Sequence, residues 1–358
     1  MNKEKINSVF LFMVDNLIWV FVVIALVVFS LISKSFFTPY NLVNILSRVA
    51  PLGLLVIGQS FTLITANFDL SSESTMGFTA MVAALLLASQ MNGGLGLELN
   101  PYLGILIMLL VGALIGAFNG VFITRLGMNN FIMTVAMLMI LRGATYAISP
   151  GKSVNFLPPE FNWLGGGSLF RIPLENGKFL AIPVSMFFVI VAFLCAYLVT
   201  KYTRFGRDMY AVGSNRQAAE AAGIDSKCVI TMVYVVSGLC AALAGLLDAG
   251  RMDSATPRTG AGLIFPVQAA AVIGGISLFG GRGNLVGAFG GVLLWGILDT
   301  GLNIAKVSPF WIEVSRGTLL LFAMFIDALK VRYLRRVAIR KVLASSTIGL
   351  KDPLHQVE

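Results

Sequence analysis

Residues 49–89 read VAPLGLLVIGQSFTLITANFDLSSESTMGFTAMVAALLLAS. Two apolar runs flank Asn67-Phe68-Asp69-Leu70-Ser71-Ser72-Glu73-Ser74, an octet with two acids and four hydroxyls or amides. Each run approaches the ~20 helical residues that a hydrocarbon core of ~30 Å requires. The octet therefore has room only for a short turn between two membrane segments. Asp69 or Ser71 is expected to cap the helix that follows, and Glu73 suits its positive N-terminal end. Irregular backbone at membrane depth is tolerated only where protein buries it or where it lines a cavity. The plainer alternative is a capped surface turn.

The rest of the chain repeats this pattern. Of 358 residues, 57% are hydrophobic, against 26 Lys and Arg and 17 Asp and Glu, which is more apolar surface than a soluble domain can hide. Runs near 16–33, 49–66, 103–124, 130–148, 180–200, 229–248 and 285–304 are long enough to cross. Those at 74–89, 263–279 and 311–329 are shorter or bounded by Gly, Pro or charge. The reading is an all-α integral membrane protein of about ten transmembrane helices, broken near 67–74. One membrane domain covers residues 1–329 and a basic tail covers 330–358. The first run ends in Ser33-Lys34-Ser35-Phe36 and lacks a small-x-small cleavage site, so it reads as an uncleaved span.

A net charge of +9 would suggest nucleic acid in a soluble protein. Here the cations gather in a few loops and the tail, so the expected partner is membrane lipid and not nucleic acid. Ten crossings put both termini on one side. If that side is cytoplasmic, 16 of the 26 Lys and Arg face it, including Lys3, Lys5, Arg125, Lys201, Arg204, Arg207 and the tail cations, as the positive-inside bias requires. Of the two long loops, the outward one, 150–179, suits an ordered lid or a tolerated linker.

The inward loop, 201–227, carries more information. Ser214-Asn215-Arg216-Gln217 fits a capping box with Ser at the N-cap and Gln at N3, and Gly223 stands where a helix would end in the left-handed region. A helix of about eight residues, Asn215 to Ala222, is too short to persist alone in water. It needs a surface. Its small side of Ala218, Ala219, Ala221 and Ala222, flanked by Arg216 and Glu220, suits a groove in another protein. The alternative is a helix lying on its own subunit.

Signatures of catalysis are missing. Gly151-Lys152-Ser153 resembles the end of a phosphate-binding loop, but Tyr146 stands where that motif needs Gly. Cys195, Cys228 and Cys240 lack metal-ligand spacing, and His355 has no partner of ligand type nearby. No cofactor or metal is expected, and any nucleotide energy must be bound by a separate protein. Gly112, Gly116 and Gly120, like Ser237, Ala241 and Gly245, recur every four residues and suit close helix packing. Gly274, Gly275, Gly280, Gly281, Gly283 and Gly287 fit the turn of a helical hairpin. Glu313 and Arg316 are spaced to pair, as are Asp299 and Asn303 to share a face. Gln59, Asn119 and Gln268 can bridge helices or line a water-filled path.

With these residues in view, the chain resembles the permease subunits of bacterial ABC sugar importers of the ribose, xylose, galactose and autoinducer type, over nearly all of residues 36–329. The resemblance lies in an ordered set: Phe36-Phe37-Thr38, Asp69-Leu70-Ser71, Leu141-Arg142-Gly143, Thr203-Arg204-Phe205-Gly206-Arg207, Ala211-Val212-Gly213-Ser214-Asn215, Ala222-Gly223-Ile224, Ile273-Gly274-Gly275-Ile276-Ser277-Leu278 and Gly280-Gly281-Arg282-Gly283. It implies a non-catalytic subunit of the bacterial inner membrane that pairs with a second permease chain, as homodimer or heterodimer. It also implies a cytoplasmic ABC ATPase docked on a coupling helix formed by Ser214, Asn215, Arg216, Gln217, Ala218, Ala219, Glu220, Ala222 and Gly223, and a periplasmic binding protein that delivers the solute.

Two departures stand out. Ser72-Glu73 replaces an expected Val-Gly, with Asn67-Phe68 before Asp69; and Ile264-Phe265-Pro266-Val267-Gln268 replaces an acidic run. Both segments are expected near the translocation path, for which Gln59, Asn67, Phe68, Asp69, Ser71, Phe265 and Gln268 are the candidate residues. The functional expectation is ATP-driven import of a sugar or similar small polar solute by alternating access. The alternative is a secondary transporter or channel with Asp69, Glu73 and Asp299 as ion or proton sites.

Overall fold

The computed structural model describes residues 17–173, 179–318, 320–322 and 324–325; the basic tail and His355 lie outside them. Five helices come first: α1 (Leu17–Ile32), α2 (Pro39–Ile64), α3 (Ser72–Leu87), α4 (Pro101–Arg125) and α5 (Asn130–Ile148). A module of short elements follows, β1 (Val154–Asn155), α6 (Pro159–Gly166), β2 (Ser168–Pro173) and β3 (Phe179–Pro183). Next are α7 (Val184–Tyr202), two short helices α8 (Arg204–Ser214) and α9 (Arg216–Ala221), then α10 (Ser226–Met252), β4 (Ser254–Ala255), α11 (Ile264–Ile273) and α12 (Leu285–Ile304). Residues 309–318 are again helical.

Local chemistry sets the starts. Thr38 and Asn100 each accept an amide hydrogen bond from the first turn of α2 and α4, with Pro39 and Pro101 directly inside, and Asn129 caps α5 in the same way. By length and composition, α2, α4, α5, α7, α10 and α12 can each cross a membrane, while α1, α3 and α11 are shorter apolar helices.

Two expectations are corrected. The run at 180–200 does not begin as helix: Phe179–Pro183 pairs antiparallel with Ser168–Pro173, and α7 starts only at Val184. The run at 263–279 holds a helix of 10 residues, ~15 Å at 1.5 Å per residue, or half a bilayer. Gly275, at φ 93°, follows its end.

The packing is a crossed exchange between the two longest helices. Gly112, Gly116 and Gly120 press α4 against α10 so closely that a Cβ on Gly116 would stand 2.1 Å from the Tyr234 carbonyl oxygen, and one on Gly238 2.0 Å from that of Gly112. These are the backbone contacts small residues permit in membranes. On the other side α12 packs on α11 and on α2: a Cβ on Gly291 would meet the Ala270 oxygen at 2.0 Å, and one on Gly296 would meet Val49. Thus α3 and α4, which follow the break after α2, cover α10, and α11 and α12, which follow the break after α10, cover α2. The first break, 65–71, is mostly buried, and the second, 253–263, is buried at Ala255, Pro257, Thr259 and Gly260.

Residues 150–173 carry short regular elements that pack on the rest of the chain. Val154 pairs with Ala255, Phe161 is fully buried, and Asp253 accepts hydrogen bonds from the Leu157 amide (2.9 Å) and from Asn162 (2.6 Å). This segment is therefore clipped to the second break. Of the cysteines only Cys240 is buried; Cys195 and Cys228 are exposed.

Candidate functional site: two membrane breaks and a short loop helix

The first break opens with a helix end. Asn67 donates its amide to the Thr62 carbonyl (2.9 Å) and Ala66 to Leu63 (2.9 Å), a Schellman motif in which Ala66 takes the left-handed position at φ 57°. The chain then runs extended through Phe68 to Asp69. The Asp69 carboxylate accepts from the Ser71 amide (3.0 Å) and hydroxyl (2.6 Å) through Oδ1, and from the Ser237 hydroxyl (2.6 Å) through Oδ2. Asn119 donates to the Ser71 hydroxyl (2.9 Å), Tyr234 to the Phe68 backbone carbonyl (2.8 Å) and Asn130 to the Asn67 side-chain oxygen Oδ1 (3.1 Å). The Asn67 side-chain oxygen, the Phe68 carbonyl, the Asp69 carboxylate and the Ser71 hydroxyl thus each have a partner on α4, α5 or α10, while the Thr65 hydroxyl and the Asn67 amide group bond within the end of α2 and the turn, as irregular backbone inside a membrane protein requires. The expected cap differs. Neither Asp69 nor Ser71 caps α3 with its side chain; Asp69 closes a two-residue turn onto Ser71 and ties it to α10.

Glu73, in the first turn of α3, serves a different helix. Its Oε2 accepts the Ile264 amide (3.0 Å) at the start of α11, where the N-cap residue Leu263 offers no side-chain acceptor. Its Oε1 pairs with Arg142 of α5 at 3.3 Å. The same guanidinium donates to the carbonyls of Pro257 (3.1 Å) and Thr259 (3.0 Å) in the second break. One ion pair therefore joins α3, α5, the middle of the 253–263 segment and the first residue of α11. The third acid of the alternative ion-site set, Asp299, pairs with Arg316 (2.5 Å), which also holds Glu313 (2.9 Å) as its spacing predicted. All three carboxylates are occupied by partners of this chain.

The inward-loop candidates lie on α8 and α9. Asn215, not Ser214, caps α9 by accepting from the Ala218 amide (3.0 Å). Ser214 is consumed as the last residue of α8, whose extent the local pattern does not reveal. The far end is as expected: Gly223 is left-handed at φ 86°, the Ile224 amide donates to Ala219 and that of Gly223 to Glu220, both at 3.0 Å. Glu220 pairs with Arg216 (3.0 Å) and accepts the Ser226 hydroxyl; that hydroxyl first, and Arg216 next, hold its carboxyl below the usual range. Ala219 is buried on the chain itself, whereas Gln217, Ala218, Ala221 and Ala222 are exposed. α8 in turn abuts the first break. A Cβ on Gly213 would lie 1.8 Å from the Ile64 oxygen, which also accepts the Gly281 amide (2.8 Å), and Tyr210 donates to the Gly283 carbonyl (2.8 Å).

Of the path candidates, the structure gathers Asn67, Phe68, Asp69 and Ser71 in the hydrogen-bonded first break. Gln59 is fully buried in α2 with neither amide atom hydrogen-bonded. Phe265 is 62% exposed on α11 and Gln268 is half-buried there. Sequence reasoning missed Tyr234 and the part played by Ser237, Asn130 and Gly213. A hydroxyl at 234 and 237 within an apolar span was the available signal.

A family model described as branched-chain amino acid transport system / permease component matches residues 41–326. Among curated relatives, the ribose import permease protein of Escherichia coli (strain K12) is 34% identical over 316 residues, covering 87% of this chain and 92% of its own. That of Bacillus subtilis (strain 168) is 34% identical over 307 residues, covering 86% and 90%. The D-allose transport system permease protein of E. coli (strain K12) is 32% identical over 301 residues, covering 84% and 87%. No solved structure matches. The span of the family match, and relatives that align over most of both chains, mean that the chain belongs to this family of transport-system permease components, non-catalytic helical membrane subunits of transporters.

Proposed function

We propose that the chain is the membrane-spanning subunit of an ATP-driven importer of a sugar or similar small polar solute, with hydrolysis confined to a separate ABC ATPase. The single observation that carries this reading is the likeness to ribose and allose permeases over most of both chains. In this reading both termini are cytoplasmic, a second permease chain completes the path, and a periplasmic binding protein delivers the solute. α9 is the docking element: Ala219 anchors it, and Ala218, Ala221 and Ala222 present a low, small-residue surface that a groove in a partner can take. Motion of the docked α9 reaches α8, and Gly213 of α8 bears on Ile64, five residues before Asp69. Closure of the ATPases thereby acts on the end of α2 and on the turn at Gly281, and the spans rearrange between inward- and outward-open states. Gln59, Asn67, Asp69 and Ser71 are buried and line no open path in this conformation; Phe265 and Gln268 are candidates for its wall. An ion-coupled carrier is less well supported, because Asp69, Glu73 and Asp299 are all engaged within the chain.

The test is uptake of labelled ribose, allose or galactose into proteoliposomes containing the chain, its ATPase and its binding protein. Import that requires ATP is expected; import driven by an ion gradient without the ATPase would refute the reading.

A further inference from the structure

A cavity of about 550 Å³ lies between the connection after α3 and the connection from α5 into β1, within the range of small-molecule sites. It starts at Leu85, in the last turn of α3, and at Ile148, the last residue of α5. These helices carry Glu73 and Arg142, so at 1.5 Å per residue the cavity stands ~9 Å along α5 from the ion pair and ~18 Å along α3. Its polar lining is Gln90, Asn92, Ser149, Lys152, Ser153 and Asn155, with the aromatic ring of Phe156. The Ser149 hydroxyl donates to the Thr145 carbonyl (2.8 Å); among the described residues the other five polar side chains make no hydrogen bond, and no carboxylate lines the cavity.

Phe156 is the unusual member. Its backbone is left-handed at φ 57°, a region that costs a non-glycine residue of order 1–3 kcal/mol, and its side chain is 70% exposed. The strain is maintained by neighbours: the Phe156 amide donates to the Asp253 carbonyl (3.0 Å) and the Leu157 amide to the Asp253 carboxylate (2.9 Å). Asp253 is itself left-handed at φ 51°. Two strained residues thus hold an aromatic face at the rim of a cavity where it buries little.

We propose that this cavity is a vestibule subsite for a neutral polyhydroxylated solute, resting on the sugar-import reading above. Three primary amides, Gln90, Asn92 and Asn155, and the Ser153 hydroxyl offer both donors and acceptors, Lys152 adds a donor, and Phe156 offers the flat apolar face against which the C–H side of a sugar ring stacks. With a cation and no acid in its lining, it disfavours cationic solutes.

The reporter is Met91→Cys in a Cys195→Ser, Cys228→Ser background, because Met91 lines the cavity and is 98% exposed; Leu169→Cys on the β2–β3 hairpin is the control. The reconstituted complex is labelled with a membrane-impermeant maleimide in the presence of D-ribose, D-allose or D-galactose up to about 10 mM, above a millimolar affinity. At least one sugar is expected to slow labelling of the Met91→Cys site, but not of the control, about threefold or more. Asn155→Ala or Phe156→Ala is expected to raise the KM for its uptake about three- to tenfold, the value of one lost contact, with maximal rate retained. Uptake without protection by any of the three would overturn the subsite and leave the import reading intact. Protection without uptake would uphold the subsite and sink the import reading. Labelling slowed equally at both positions would overturn the subsite.

Discussion

Removing Arg142 and Glu73 singly and together measures how far one ion pair holds the two breaks in register. The side chains are 18% and 9% exposed at 3.3 Å, closer to a buried pair than to a surface one. Truncating one partner of a buried pair costs about 3–5 kcal/mol, much of it the charge left behind. Here Glu73→Ala leaves the Arg142 guanidinium on the two carbonyls of Pro257 and Thr259, and strips the Ile264 amide of its acceptor. Partial water access and those two carbonyls lower the expected loss to about 2–4 kcal/mol. Arg142→Ala leaves Glu73 bonded to Ile264 but frees two carbonyls, for a similar loss. In the double variant neither charge is stranded, so the losses should fall short of additivity by about 1–3 kcal/mol. Unfolding in SDS-titrated mixed micelles, read by tryptophan fluorescence, gives the cycle. Additivity within about 0.5 kcal/mol would refute the claim that the pair acts as one unit.

Three further outcomes are expected. Asp69→Ala deprives the Ser71 amide, the Ser71 hydroxyl and the Ser237 hydroxyl of an acceptor, at about 1–3 kcal/mol per stranded donor; it should abolish uptake while membrane insertion, measured by fractionation, persists. Asn215→Ala should destabilise α9 by about 1 kcal/mol and raise amide exchange across residues 216–222, whereas Ser214→Ala should leave exchange unchanged; equal effects would restore the capping box. Gly213→Ala puts a Cβ 1.8 Å from the Ile64 oxygen, so ATP hydrolysis by the assembled complex should lose its stimulation by substrate even where the ATPase still co-purifies. Full stimulation would break the proposed link from α8 to the first break.

Most of the membrane architecture was legible because hydrophobic length is a local property. The glycine spacing at Gly112, Gly116 and Gly120, the left-handed Gly223 and the Glu313–Arg316 pair depend on residues within one or two turns, and each appears as read. The failures share a cause in distance. Phe179–Ile182 is apolar enough for helix or strand, and pairing with residues 168–173 decides the matter. Ser214 and Asn215 are both competent caps, and only the reach of α8 selects between them. Glu73 does sit in the first turn of its own helix, as its local sequence indicates, but its bonded partners lie 69 and 191 residues away. The Asp69–Ser237 bond spans 168 residues, so the sequence marked the acid as costly without naming what offsets it.

The exposed face of α9 is the proposed seat of the ATPase. Ala222→Trp fills that face while leaving Ala219, the Asn215 cap and the Arg216–Glu220 pair in place. Co-purification of the ATPase with the detergent-extracted chain measures it directly. The account predicts loss of the ATPase from a chain that is still folded and membrane-inserted. Undiminished co-purification with undiminished ATP-dependent uptake would contradict it.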